Sequence, residues 1–216
     1  MRIPMNFLYP RILHRLCVVA AGAILVASIA AVPATAAADD PLAVVKDTVN
    51  QALSVLRDKQ TPIAQRQQKL RDIVAASFDF TTMSRSALGY YWKQITPAQQ
   101  QEFTNVFITF IENSYLAKIN EFTAGDVKFL SQQNDGAKYS MVKTSVLMPG
   151  KDPIDLDFRL LNNGSQWKIY DVTVDAISII ANYRNQFNRI MSNQGYDKLI
   201  GDLKSKEASL AASMGK

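Results

Sequence analysis

From Pro41 onward, apolar residues recur every three or four positions, then every second position, then every three or four again. The first stretch predicts helices. Asp40 can cap and Pro41 can start a segment whose Leu42, Val45, Val49, Leu53 and Leu56 share one face. Thr61-Pro62 opens a second helix, with Leu70, Ile73, Val74 and Phe78 near its end. A short third runs from about Phe80 to Leu88 and stops at Gly89, beside the aromatic knot Tyr90-Tyr91-Trp92. Thr96-Pro97-Ala98-Gln99 is a capping box with proline at the first helical position. The helix it opens carries a stripe of Phe103, Val106, Phe107, Phe110, Ser114 and Ala117 and ends before Gly125.

The period then drops to two, which predicts four strands: Val127–Ser131, Lys138–Met148, Ile154–Leu161 and Trp167–Val174. The links carry Asn134-Asp135-Gly136, Pro149-Gly150 and Asn162-Asn163-Gly164, short enough to make antiparallel neighbours. Closing these turns tightly sets Val146 against Leu156, Thr144 against Phe158, Phe158 against Tyr170 and Leu156 against Val172. Val142, Val146, Met148, Ile154, Leu156, Phe158, Leu160, Tyr170, Val172 and Val174 then share an apolar face. Lys143, Ser145, Asp155, Asp157, Arg159 and Asp171 fall on the other, wet one. The helical period returns with Ile177, Ile180, Tyr183 or Arg184, Phe187 and Ile190 or Met191, and stops at Gly195. Asp197 can cap a last short helix with Leu199, Ile200 and Leu203, and a frayed tail is expected from about Lys204. The sum is an α+β fold: a curved four-stranded antiparallel sheet with helices on its apolar face.

The N-terminus changes the chemistry. Met1–Arg15 holds Arg2, Arg11 and Arg15 and no acid, and Leu16–Ala38 is uncharged and ends in small residues. This is the layout of a secretory signal peptide, with cleavage expected after Ala38 and the alternative site after Ala36. The 23-residue run is also long enough for an uncleaved anchor, but Pro33 and the alanine-rich end favour cleavage. Residues 1–38 are thus read as the leader and 39–216 as one domain, exported to the periplasm of a Gram-negative cell. The only histidine, His14, and the only cysteine, Cys17, leave with the leader. Thiol catalysis, disulfides, a Ser-His-Asp triad and Cys/His metal sites are excluded from the remainder. No metal and no cofactor is expected. Removing the leader leaves 21 basic residues against 19 acids, a net +2 that gives no support for nucleic-acid binding.

Little resembles an active site. Asp155 and Asp157 could act as paired carboxylates, and Asp171 or Asp175 beside Tyr170 could be the lone base of a small isomerase-like enzyme. The plainer reading is a solvated strand face, with Asp175 capping the helix after it. The apolar inventory is richer: nine Phe, seven Tyr and two Trp remain after the leader, enough for a packed core or for a lined cavity.

Four blocks in order carry a resemblance: Asp79-Phe80 with Ala87-Leu88-Gly89-Tyr90-Tyr91-Trp92-Lys93; Thr96-Pro97-Ala98-Gln99-Gln100; Trp167-Lys168-Ile169-Tyr170-Asp171-Val172; and Asn182-Tyr183-Arg184-Asn185-Gln186-Phe187 followed by Gly195. Together they resemble the MlaC / toluene-tolerance Ttg2D family of periplasmic phospholipid-binding proteins, over about Pro41 to Lys206. Ala176 departs from it, where the family usually has glycine. The resemblance implies a carrier, not an enzyme, with a phospholipid ligand. Its implied partners are the substrate-binding subunit of an inner-membrane ABC transporter and an outer-membrane lipoprotein–porin complex, and its implied role is maintaining outer-membrane lipid asymmetry. A hopanoid-associated branch looks similar and leaves hopanoid as the alternative cargo. A monomer is expected. The expected pocket wall is Val146, Leu156, Phe158, Tyr170, Val172 and Val174, facing Phe103, Phe107 and Phe110 from one helix and Ile177, Ile180, Tyr183 and Phe187 from another. Lys93, Lys143, Arg159 and Arg184 are candidate rim or docking cations.

Overall fold

The computed structural model describes residues 40–116, 125–148, 150 and 152–214. The leader, the end of the Phe103 stripe from Ala117 on, and Pro149 of the second turn lie outside them. Helix α1 (Pro41–Arg57) begins as its sequence dictates: Asp40 Oδ1 accepts from the Leu42 amide at 3.2 Å and proline fills the first turn. Helix α2 (Ile63–Ser77) follows. Helix α3 (Phe80–Leu88) is capped by Asp79, which accepts from the Thr82 amide at 2.8 Å. It ends at Gly89, whose φ of +56° few other residues adopt, and a 3₁₀ turn over Gly89–Lys93 holds the aromatic knot. Helix α4 (Pro97–Leu116) opens on the capping box: the Thr96 amide donates to Gln99 Oε1 at 2.9 Å, and the Gln99 amide to Thr96 Oγ1 at 3.2 Å.

Five antiparallel strands follow, not four: β1 (Asp126–Asp135), β2 (Tyr139–Leu147), β3 (Ile154–Asn162), β4 (Trp167–Val174) and β5 (Ile177–Ser178), adjacent in chain order. The fifth arises because Asp175 and Ala176 both take positive φ, 46° and 65°, the requirement of a tight hairpin turn. The chain turns back on itself, and Ile177 pairs with Val174 before any helix begins. Asp175 is therefore a turn residue and not a helix cap. An alanine at this φ is strained by about 1–2 kcal/mol. Ala176→Gly is expected to raise stability by about 1 kcal/mol, the glycine's unfolded-state entropy taking back part of the relief. Thermal unfolding followed by circular dichroism checks this, with a rise in midpoint of roughly 2–4 °C.

The β2–β3 register sits two residues from the expected one, Val146 opposite Ile154 and Val142 opposite Phe158. A slip of two keeps every side chain on its face. The β3–β4 pair differs more. Arg159 pairs with Asp171 but Leu160 with Ile169, so Tyr170 is an extra, bulged residue. The bulge puts Tyr170 on the opposite face, where its ring meets Tyr139 at 6.1 Å and burial pushes its phenol pKa up. Ile169 and Trp167, placed on the wet face by strict alternation, join the apolar one and are buried. A second bulge, at the exposed Leu130, interrupts β1, and no described residue pairs with the outer edge of that strand.

Helix α5 (Ile179–Met214) is broken at Gly195, with φ 77° and ψ −175°. Its second half continues to Met214, past the tail expected from Lys204. Leu199, Ile200 and Leu203 are buried, Leu210 packs on the same cluster, and Lys204 pairs with Glu102 of α4 at 2.6 Å. Tyr196 donates to Gln99 O and to Glu102; burial, then the bond to Glu102, pushes its phenol pKa far up, while the bonds from Lys204 and then Tyr196 hold the Glu102 carboxyl below its usual range.

The core divides. One cluster joins α3, α4 and α5 through Met83, Leu88, Phe103, Phe107, Phe110, Ile180, Tyr183 and Phe187. A second joins α1 to the sheet through Val45, Val49, Val142, Phe158, Leu160, Trp167 and Ile169. A third, of Met148, Ile154 and Val174, closes one end of the same sheet face. The Phe103–Phe110 stripe thus packs on α5 and not across the sheet face; α1 covers that face.

Candidate functional site

The sheet face between α1 and the start of α5 is only partly covered. Val127, Phe129, Val146, Leu156 and Val172 are only half-buried, although Val142, Phe158, Leu160 and Ile169 beside them are closed off. Leu156 and Val172 touch both the second and third clusters. Phe78, at the end of α2, reaches the first and second, and Ile179 the first and third. A strip of aliphatic side chains therefore lies where the three clusters meet, walled by α1, Phe78 and Ile179. Such a surface binds by shape and by exclusion of water.

Strand parity brings Val146, Leu156, Phe158, Val172 and Val174 to one face. Phe158 and Val174 are buried parts of its floor. Tyr170 faces away, for the reason given by its bulge. Phe103, Phe107, Phe110, Ile180, Tyr183 and Phe187 are not brought to the strip. They form a dense aromatic core in which Phe107 contacts Phe103 at 5.4 Å, Phe187 at 5.6 Å and Tyr183 at 5.8 Å between ring centroids. Ile177 is half exposed on β5. Sequence reading passed over Leu53, Phe78 and Ile179 as lining residues. Only the apolar spacing of α1 and α2 hinted at the first two.

Of the carboxylates considered for catalysis, Asp171 is tied into the fold and Asp155 and Asp157 stand on the strand face. Asp171 is buried; its Oδ2 accepts from Ser178 Oγ at 2.6 Å and its Oδ1 from the Ile180 amide at 3.2 Å. Ser178 Oγ in turn accepts from the Ala181 amide at 2.9 Å. The pair caps α5 and ties it to β4. Asp157 lies between Lys143 and Thr173 in register, and Asp155 beside Ser145. Among the described residues no group of three His, Cys, Asp or Glu could hold a metal ion, and no helix is long and apolar enough to cross a membrane. Arg184 packs its side chain on Gly89 and donates from Nε to Ser86 O at 2.6 Å, so it braces the aromatic turn. Lys93 is exposed; Lys143 and Arg159 stand opposite Asp157 and Asp171. An open recess of about 390 Å³ lies elsewhere, between α4 and the second half of α5, and mixes apolar Val106 and Ala208 with Asn105, Thr109, Lys204 and Glu207.

A model of the family described as MlaC protein matches residues 46–205. The intermembrane phospholipid transport system binding protein MlaC of Haemophilus influenzae is 24% identical over 168 residues, covering 74% of this chain and 78% of that one. The toluene tolerance protein ttg2D of Pseudomonas putida is 26% identical over 168 residues, covering 76% and 78%. The solved structure of a phospholipid-binding protein from Ralstonia solanacearum, in complex with a phospholipid, superposes with a TM-score of 0.72 at 24% identity, covering 80% of this chain and 99% of that one. That likeness extends to the α+β fold.

Proposed function

The chain belongs to the MlaC family, and from that premise we propose that it is a phospholipid carrier whose acyl chains lie on the half-buried strip of Val146, Leu156 and Val172. The observation that carries this reading is the strip itself: aliphatic residues left half-buried at the margins of the second and third clusters. The energetics favour such a device. Each CH₂ exposed to water costs about 0.8 kcal/mol, so a two-chain lipid with roughly 30 of them would face about 25 kcal/mol crossing water unaided. A carrier removes that cost with an apolar surface and needs no catalytic group. The headgroup can remain wet at the rim.

The leader reading supports work in the periplasm, and the family resemblance implies traffic between an outer-membrane lipoprotein–porin complex and the substrate-binding subunit of an inner-membrane ABC transporter. Lipid asymmetry of the outer membrane is the corresponding role. The relatives' names support the transport half of this reading. Denaturing mass spectrometry of the protein purified from cells tests the cargo. A diacyl phospholipid at near-stoichiometric amount is expected. Protein free of lipid, or holding only polar metabolites, overturns the carrier reading; hopanoid in its place redirects the cargo.

A further inference from the structure

The molecule is two packed bodies. The sheet and α1 form one, around the second and third clusters, with α2 packed on α1; α3, α4 and α5 form the other, around the first. Along β4 they are joined firmly. The Asp79 amide donates to Ile169 O at 2.8 Å, Phe78 bridges to Ile169, and Asp171 holds the start of α5. The C-terminal end of α2 is fixed to its own body by Thr48 Oγ1 on Ser77 Oγ and by Lys168 Nζ on Ala76 O.

Away from β4 the junction changes character. Helix α2 meets α4 through polar groups: Arg71 Nη2 donates to Asn113 Oδ1 at 2.9 Å, Arg71 Nε lies 3.4 Å from Glu112 Oε2, and Gln67 Nε2 reaches Leu116 O at 3.4 Å. Arg71 and Glu112 keep side-chain exposures of 27% and 15%, so water stands at the edge of the pair. An apolar seam resists parting because its surface must be hydrated. A polar seam exchanges its hydrogen bonds for water at small net cost.

We infer that Arg71, with Glu112 and Asn113, is a latch that sets how fast phospholipid enters and leaves: its release lets the α2 side part from α4 while the β4 side stays joined. The inference rests on the carrier reading, and places the lipid path at the α2–α4 junction. Arg71 is a positioning residue here and need not touch the lipid.

The test is the transfer of a fluorescent phospholipid from the loaded protein to acceptor vesicles, with lipid content measured beforehand. Arg71→Glu and Glu112→Arg each place like charges together and are expected to speed release by roughly 5- to 10-fold. The exchanged pair, Arg71→Glu with Glu112→Arg, is expected to return the rate toward wild type, which a general loss of packing would not do. Arg71→Gln is the milder variant should the reversals unfold. It removes the ion pair, so the acceleration of release by salt that is expected of wild type should be lost. Unchanged release in folded variants, or no salt dependence in wild type, overturns the latch. Wild-type protein that never takes up lipid overturns instead the carrier reading beneath it.

Discussion

Leu156→Asp is expected to leave a folded protein that holds no lipid. Leu156 is half-buried at the junction of two clusters, so a carboxylate there can reach water through the space the acyl chains would otherwise occupy. Its cost to the empty protein is then small. Its cost to the loaded protein is large, because the chains would strip water from an unpaired charge, a penalty of several kcal/mol. A penalty of that size lowers affinity by at least about 100-fold. Leu160→Asp is the control. Leu160 is fully closed off on the same face, pairs with Ile169, and has no such route to water. That variant is expected to unfold outright. Circular dichroism melting and lipid content of both purified variants decide the matter. A folded Leu156→Asp protein still carrying its lipid would place the acyl chains elsewhere.

Phe187→Ala is expected to cost about 3–5 kcal/mol, a large share of the 5–15 kcal/mol that holds a typical domain together. Phe187 is completely buried and meets Phe103, Phe107 and Tyr183 with ring centroids 5.6–5.8 Å apart. Truncation removes three ring contacts and leaves a cavity in the middle of the α4–α5 core. The thermal midpoint is expected to fall by about 10 °C. Protein that remains folded at low temperature is expected to retain its phospholipid, since Phe187 itself does not line the strip. A variant with an unchanged midpoint but reduced lipid would return Phe187 to the pocket wall.

The two variants divide a set of residues that sequence alone groups together, and the reason is physical. Local signals were legible. The capping box at Thr96, the cap at Asp40, the stop at Gly89 and the break at Gly195 all lie where their short-range chemistry requires. Strand parity was legible for Val146, Leu156 and Phe158, because a register slip of two preserves the face. The Tyr170 bulge left only a phase change, apolar residues falling on odd positions at Trp167 and Ile169 and on even ones at Val172 and Val174, and which residue is extra exists only relative to β3. The partner of the apolar face was not legible. The Val45–Val49 face of α1 and the Phe103–Phe110 stripe of α4 both offer what a sheet face needs, and the choice between them rests on packing across the whole chain. Asp171 illustrates the same limit. Alternation places it on the wet face correctly, but only the return of β5 shows that Ser178 and Ile180 close over it.

The bulge at Leu130 bears on how many such molecules can share a compartment. Strand β1 ends the sheet, spans ten residues and offers its outer row of amides and carbonyls to any passing strand. A flat edge of that length is a template for chains to stack side by side into fibrils. The extra residue bends the row, and the Lys128 charge two positions earlier adds repulsion between copies. Among the described residues, the border most open to a foreign strand thus carries a built-in mismatch against copies of its own kind.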